Sequence, residues 1–192
     1  MDIKVFFGII PVLLSIPSYG LYIRSVIVGK TKPHIYSWLL WGILAGIAFA
    51  GQIADDAGPG AWNTGITVVG CLTIFMFALK KGDKTLVKID KVLLGFALLA
   101  VAIQLLTSNH VLAVIMATMT ALVGFIFTFK KAFKDPVHES SLTFFINANR
   151  NLISLFALSA VSFLTLFYPL AMALANASIV SVVLARRKAK SA

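Results

Sequence analysis

The chain has 192 residues, of which 59% are hydrophobic and 12% charged, with mean hydropathy +0.94. That leaves too few polar side chains to cover a soluble domain of this size. The net charge of +10 does not point to nucleic acid, because the basic residues sit between apolar runs and not on one face. The single Cys71 rules out an internal disulfide, and no Cys or His spacing fits a metal, so neither metal nor cofactor is expected.

A spanning helix needs about 20 mainly apolar residues to cross ~30 Å of hydrocarbon, and the chain has room for about seven. The first predicted span covers residues 5–28. It is too long for a signal peptide, and it holds Pro11 and Pro17. Arg24, Lys30 and Lys32 flank the loop that follows, and span two covers 36–54. Asp55 and Asp56 precede a Gly58-Pro59-Gly60 turn and span three, 61–79. Lys80, Lys81, Lys84, Lys88 and Lys91 lead to the shortest span, 92–106. A loop without Lys or Arg precedes span five, 111–129, and Lys130, Lys131 and Lys134 follow it. Residues 151–185 carry no charge and are too many for one ordinary span. A turn near 159–162 therefore divides them into span six, 142–160, and span seven, 163–185.

Fifteen of the seventeen basic residues fall on one side of this parse, Lys4 on the other, and Arg150 within a span. Lys and Arg concentrate on the cytoplasmic side. A multi-pass protein of the cell membrane is expected, with its N-terminus outside and its C-terminus cytoplasmic. The bilayer is its expected surrounding, and association between copies is left open.

A loop pattern occurs twice. Placing Pro33 on Pro136 brings Ser37 onto Ser140, Leu39 onto Leu142 and Trp41 onto Phe144. Each copy lies in a basic loop between the first and second spans of a three-span group. The groups are spans one to three and five to seven, with span four between them. One crossing between two odd-numbered groups makes them parallel repeats. The expected fold is all-α, with two parallel three-helix bundles and a linker helix. The units are residues 1–81, 82–108 and 109–192. Proline in a span kinks the helix, as expected at Pro17. Pro33 and Pro136 favour a helix start just after them, with Ser37 and Ser140 as N-caps. Trp38, Trp41 and Trp62 suit the membrane interface.

The stretch from Ser15 to Ser37, SIPSYGLYIRSVIVGKTKPHIYS, resembles the signature of the SWEET and PQ-loop (MtN3-type) transporters. Pro17-Ser18 stands where that signature has Pro-Gln, and Thr120-Ala121 stands at the matching place in the second copy. The chain is similar to a divergent member. The resemblance implies a small-solute site at mid-membrane between the bundles. It also implies asparagines from the third and last helices at that site, which Asn63 and Asn176 could supply.

Span six carries the most pronounced polar pattern. Asn147, Arg150, Asn151 and Ser154 recur at i, i+3, i+4 and i+7, hence on one helix face, while Asn149 points elsewhere. An arginine at the bilayer centre costs at least ~2.5 kcal/mol. This stripe is expected to face a hydrated midplane cavity where Arg150 holds an anionic or polar group. The plainer role is an interhelical network. Asn63, Thr67, Gly70 and Cys71 form a milder stripe on span three, and for Asn63 the plainer role is favoured. Gly42, Gly46 and Ala50, like Ala173, Ala177 and Ser181, have the spacing of close-packed helices. Asp55 and Asp56 read as a solvated turn, with Gln52 one turn earlier near the mouth. His34, His138 and His110 read as solvated. No nucleophile, carboxylate pair or phosphate loop points to an enzyme. The expected function is transport of a small polar or anionic solute. The alternative is a receptor or assembly protein on the same fold that moves nothing.

Overall fold

The computed structural model describes residues 2–29, 32–107, 109–134, 136 and 141–191. It is all-α, with seven helices: α1 Ile3–Ile27, α2 Ile35–Ala54, α3 Trp62–Lys81, α4 Lys88–Leu106, α5 His110–Lys134, α6 Ser141–Phe156 and α7 Phe163–Ser191. A 3-10 turn, Gly58–Ala61, leads into α3. Five helices are long and apolar enough to cross a membrane: α1, α2, α3 with its turn, α4 and α7. This is the pattern of a multi-pass membrane protein. The apolar stretch of α5 is shorter, His110–Ile126. The 16 residues of α6 extend about 24 Å at 1.5 Å each. The seven predicted spans map onto the seven helices in order, and the predicted break after span six lies between Phe156 and Phe163.

Several boundaries differ from the sequence reading for identifiable reasons. α4 starts four residues early because the Asp90 carboxylate accepts a bond from the Val87 N–H at 3.0 Å, which caps the helix start. Ser37 is not an N-cap. His34 holds that position, and Ser37 sits a turn inside α2 with its hydroxyl 2.8 Å from His34 Nδ1. Ser140 and His138 lie outside the described residues. Pro17 and Pro11 are both inside α1, and Pro169 is inside α7. Of the small-residue stripe on α2, Gly42 lies against Leu72 of α3, while Gly46 borders open space. On α7 only Ala173 of its three small residues is buried.

Helix α3 packs against both α1 and α2, and α7 packs against both α5 and α6. Helices α1 and α2 make no extended contact with each other among the described residues, nor do α5 and α6. Across the molecule α1 leans on α6 and α2 leans on α5, while α4 rests on α5 and α2. The apolar core lies among α2, α4, α5 and α7, around Leu44, Ala48, Ala97, Val114, Ala117 and Met172. The opposite seam, between α1, α3 and α6, is polar.

Backbone bonds tie down both ends. At the upper end Ser159 N donates to Ala57 O at 2.9 Å and Ala160 N to Asp56 O at 3.2 Å. Gly58 has φ +60° there, a left-handed conformation that glycine adopts without strain. At the lower end Asp83 N donates to Pro33 O at 2.9 Å, and Ile35 N to Asp83 O at 3.0 Å. Lys81 Nζ donates to the Ile27 carbonyl, closing the end of α1. The end of α5 is closed in the same manner by Arg186 Nε on Phe133 O at 3.2 Å, and Arg187 Nε donates to Pro136 O at 3.0 Å. Each loop proline thus offers its carbonyl to a donor near the end of a helix, Pro33 to the Asp83 N–H just past α3 and Pro136 to the Arg187 side chain of α7.

The lower end has a pH signature. Thr85 side-chain and backbone donors hold the Asp83 carboxyl below its ordinary 3.8. A carboxyl lowered in the folded state stabilises fully above its unfolded value and loses that contribution as pH falls through the folded value. Asp83→Asn is therefore expected to flatten the stability profile below pH 3.8, read by thermal melts across that range, and to leave the neutral-pH pH-dependence unchanged.

Candidate functional site

The seam between α1, α3 and α6 gathers most of the polar residues predicted for a site. Arg150, tenth in α6, is 3% exposed, and Asn63, second in α3, is 1% exposed. Arg150 donates from Nε and Nη2 to Asn63 Oδ1 at 3.2 and 3.1 Å. Nη2 also reaches Thr67 Oγ1 at 3.2 Å, and Nη1 reaches Asn147 Oδ1 at 3.4 Å. Asn63 in turn donates to Asn151 Oδ1 at 3.2 Å, across from α3 to α6. The Thr67 hydroxyl donates to Asn63 O, so its orientation is fixed while its lone pair accepts from Arg150. Asn151 Nδ2 and the Ser154 hydroxyl donate to carbonyls of their own helix.

Below the guanidinium lies the Tyr19 ring, its centroid 5.5 Å from Arg150 Cζ. The ring lies on Gly70, where an added Cβ would come within 2.5 Å of it. The phenol interacts with Thr67, Arg150 and Cys71. A polar column thus descends from Asn63 through Arg150, Thr67 and Tyr19 to Cys71. It is built from α1, α3 and α6.

The sequence reading identifies this column only in part. Asn147, Arg150, Asn151, Ser154, Asn63 and Thr67 do come together. Asn176 is buried, but its amide donates to Met172 O of its own helix at 2.7 Å and not to the cluster. Arg150 is buried, with asparagine and threonine oxygens and an aromatic face as partners. Its partners Asn63 and Thr67 lie in the first two turns of α3, near the end that carries Asp55 and Asp56. Asn63, for which the sequence favours an interhelical hydrogen-bonding role, has that role and is the central acceptor of the cluster.

Two further residues escaped the sequence reading. Tyr19 lies four residues after Ser15 on the buried face of α1, a spacing visible in the sequence. His34, read as solvated, ties three segments together. Its Nδ1 meets Ser37 Oγ, Nε2 lies 2.7 Å from Thr85 O, and Asp90 Oδ2 is 3.6 Å away. No local pattern marks that role, because Thr85 and Asp90 are some fifty residues away in sequence.

Gln52 is fully buried at the upper end. Its amide faces Thr165 O at 3.4 Å, and its Oε1 has no partner. Thr64 Oγ1, next to Asn63, is likewise buried without a partner. Trp62 is exposed at the upper end, while Trp38 lies between Tyr22, tilted against it, and Trp41, edge-on to it, at the lower end, with centroids 4.9 and 5.2 Å apart. The aromatic residues predicted as interface anchors thus flank both ends of the bundle. No metal-binding group of His, Cys, Asp or Glu occurs among the described residues. No family model, curated protein or solved structure matches the chain.

Proposed function

We propose that the protein is a seven-span membrane transporter for a small anionic solute, with Arg150 as its anion-binding group. One observation carries this reading. A fully buried guanidinium has only neutral partners among the described residues, namely Asn63, Thr67, Asn147 and the Tyr19 face. An uncompensated buried charge is expensive to keep for packing alone. Neutral amides hold the group in place and leave its charge for a ligand. The orphaned Thr64 Oγ1 beside Asn63 fits a path that takes in water or solute.

The architectural proposal is two parallel repeats, α1–α3 and α5–α7, joined by α4, as in the SWEET-like layout. It is supported by an exchange symmetry in the packing. Swapping α1 with α5, α2 with α6 and α3 with α7 maps the pairs α1–α3, α2–α3, α1–α6 and α2–α7 onto α5–α7, α6–α7, α2–α5 and α3–α6, all of which are in contact. The paired clamps Lys81–Ile27 and Arg186–Phe133 repeat the same relation. The polar column lies where the groups meet, which is where rocking of one against the other would open it.

Uptake by proteoliposomes tests the function. A screen of small carboxylates, phosphates, sugars and amino acids should show saturable uptake of an anion and not of its neutral analogue. Uptake of neutral solutes alone, or none at all, would remove the anion reading. Orientation follows from the basic lower end, placed cytoplasmic by charge bias. In a Cys71→Ser background, a cysteine at Asp56 should label with an impermeant maleimide applied to intact cells, and one at Lys84 should not. Both positions are exposed, so the reverse pattern would invert the topology.

A further inference from the structure

We infer that the lower end of α1 holds an anionic phospholipid, with Arg24 on its phosphate and an acyl chain along the helix. A cleft of about 340 Å³ opens there, lined by Leu21, Arg24, Ser25 and Val28. Leu14, Pro17, Leu21, Arg24 and Val28 recur at alternating spacings of three and four, so they form one stripe, and all five are exposed. Gly20 beside the stripe borders open space. From Leu14 to Arg24 the stripe is about 15 Å long at 1.5 Å per residue, which suits much of an acyl chain.

Charge selects the headgroup. The Arg24 guanidinium is exposed and has no hydrogen bond or acid among the described residues. The Lys81 ammonium sits one turn further down, on the Ile27 carbonyl. A choline headgroup would bring a third cation between these two, whereas a glycerol phosphate brings only the anion. Free phosphate would gain nothing from the exposed apolar side chains of Leu21 and Val28. The Tyr22 and Trp38 rings, in tilted contact, lie beside the same turn, at the level where amphipathic aromatics meet headgroups. This site is separate from the Arg150 column and does not depend on the transport reading.

The test uses the full chain in phosphatidylcholine vesicles containing acyl-brominated phosphatidylglycerol or phosphatidylcholine. Quenching of tryptophan fluorescence reports lipid contact. Brominated phosphatidylglycerol should quench at a lower mole fraction than brominated phosphatidylcholine. Arg24→Gln should weaken that preference about five-fold, corresponding to ~1 kcal/mol for one basic side chain at an anionic surface. Leu21→Phe, which fills the cleft without touching the charge, should weaken it too. Lys88→Gln removes an exposed charge at the same end but away from the cleft, and should leave it intact. Arg24 and Leu21 are exposed, so both variants should fold, as unchanged helical circular dichroism will register. Equal quenching by the two lipids overturns the proposal. So does an Arg24→Gln effect no larger than that of Lys88→Gln, or an unaltered preference in Leu21→Phe. Displacement by inorganic phosphate overturns it as well, by placing the occupant in water.

Discussion

Arg150→Ala is expected to lower affinity for the transported anion by roughly 100-fold or more. Two charge-assisted bonds from a guanidinium to an anion contribute about 1.5–3 kcal/mol each, and ~1.4 kcal/mol is ten-fold. The substitution also carries a structural cost. It leaves Asn63 Oδ1 and Asn147 Oδ1 without their donor, at roughly 1–3 kcal/mol each. Loss of uptake in this variant alone therefore does not separate binding from folding. Asn63→Asp does. It places a carboxylate near-isosterically against Arg150, giving the guanidinium the counter-ion it lacks. Uptake should fall steeply, because a built-in acid competes with the solute for one charge, while the melting temperature changes little, the new ion pair offsetting the lost Asn63 Nδ2–Asn151 Oδ1 bond. Arg150→Lys should recover only part of the binding, since an ammonium lacks the planar fork that grips a carboxylate or phosphate. Normal uptake with Asn63→Asp, or with a folded Arg150→Ala, would make the cluster a packing device.

The seven helices were legible in the sequence because their signal is local. Apolar runs near 20 residues, separated by charged loops, fix the order and the boundaries to within a few residues. The unbroken run from Asn151 to Ala185 yields its turn by length alone. The faces of α1 were legible in principle as well. Gly8, Pro11, Ser15 and Val26 are buried, whereas Leu13, Leu14, Ile16 and Leu21 are exposed. In hydrocarbon the largest apolar side chains gain nothing by turning inward, so small and polar residues mark the interior.

The long-range pairings were not legible. The Arg150 stripe on α6 announces an inward face, but nothing in it names Asn63, 87 positions earlier, as its acceptor. Nor does it give the depth of the guanidinium. That depth follows from α6 being short and from its docking beside the first turns of α3. Asn176, a lone amide among small residues, fits the expected site by sequence, but it is satisfied by the Met172 carbonyl. A helix offers an asparagine its own i−4 carbonyl, and only the packed structure decides whether a neighbour offers a better partner.

Gly82→Ala should be the most damaging single-methyl change at the lower end. Glycine here is not required by its dihedrals, since φ −88° and ψ 174° are open to any residue. The constraint is space. An added Cβ would lie 2.5 Å from Pro33 O, 2.6 Å from Ala78 O and 2.9 Å from Ala78 Cα, all backbone atoms that cannot rotate aside. Relief requires moving Pro33 away from α3. That breaks Asp83 N–Pro33 O and Ile35 N–Asp83 O, and it draws His34 from Thr85 O. Two backbone bonds at about 0.5–1.5 kcal/mol each, plus roughly 1–3 kcal/mol of overpacking, give a loss of about 2–4 kcal/mol after partial relaxation. The melting temperature should fall by roughly 5–15 °C in a chain of this size. Gly46→Ala is the matched contrast. The residue sits inside α2 with nothing within 4 Å of an added methyl. The substitution should stabilise by about 0.5–1 kcal/mol through helix propensity alone. A wild-type melt for Gly82→Ala would mean that the Pro33–Asp83 junction opens without cost. In that case the lower clamp would be a loose contact and not a joint holding α2 to α3.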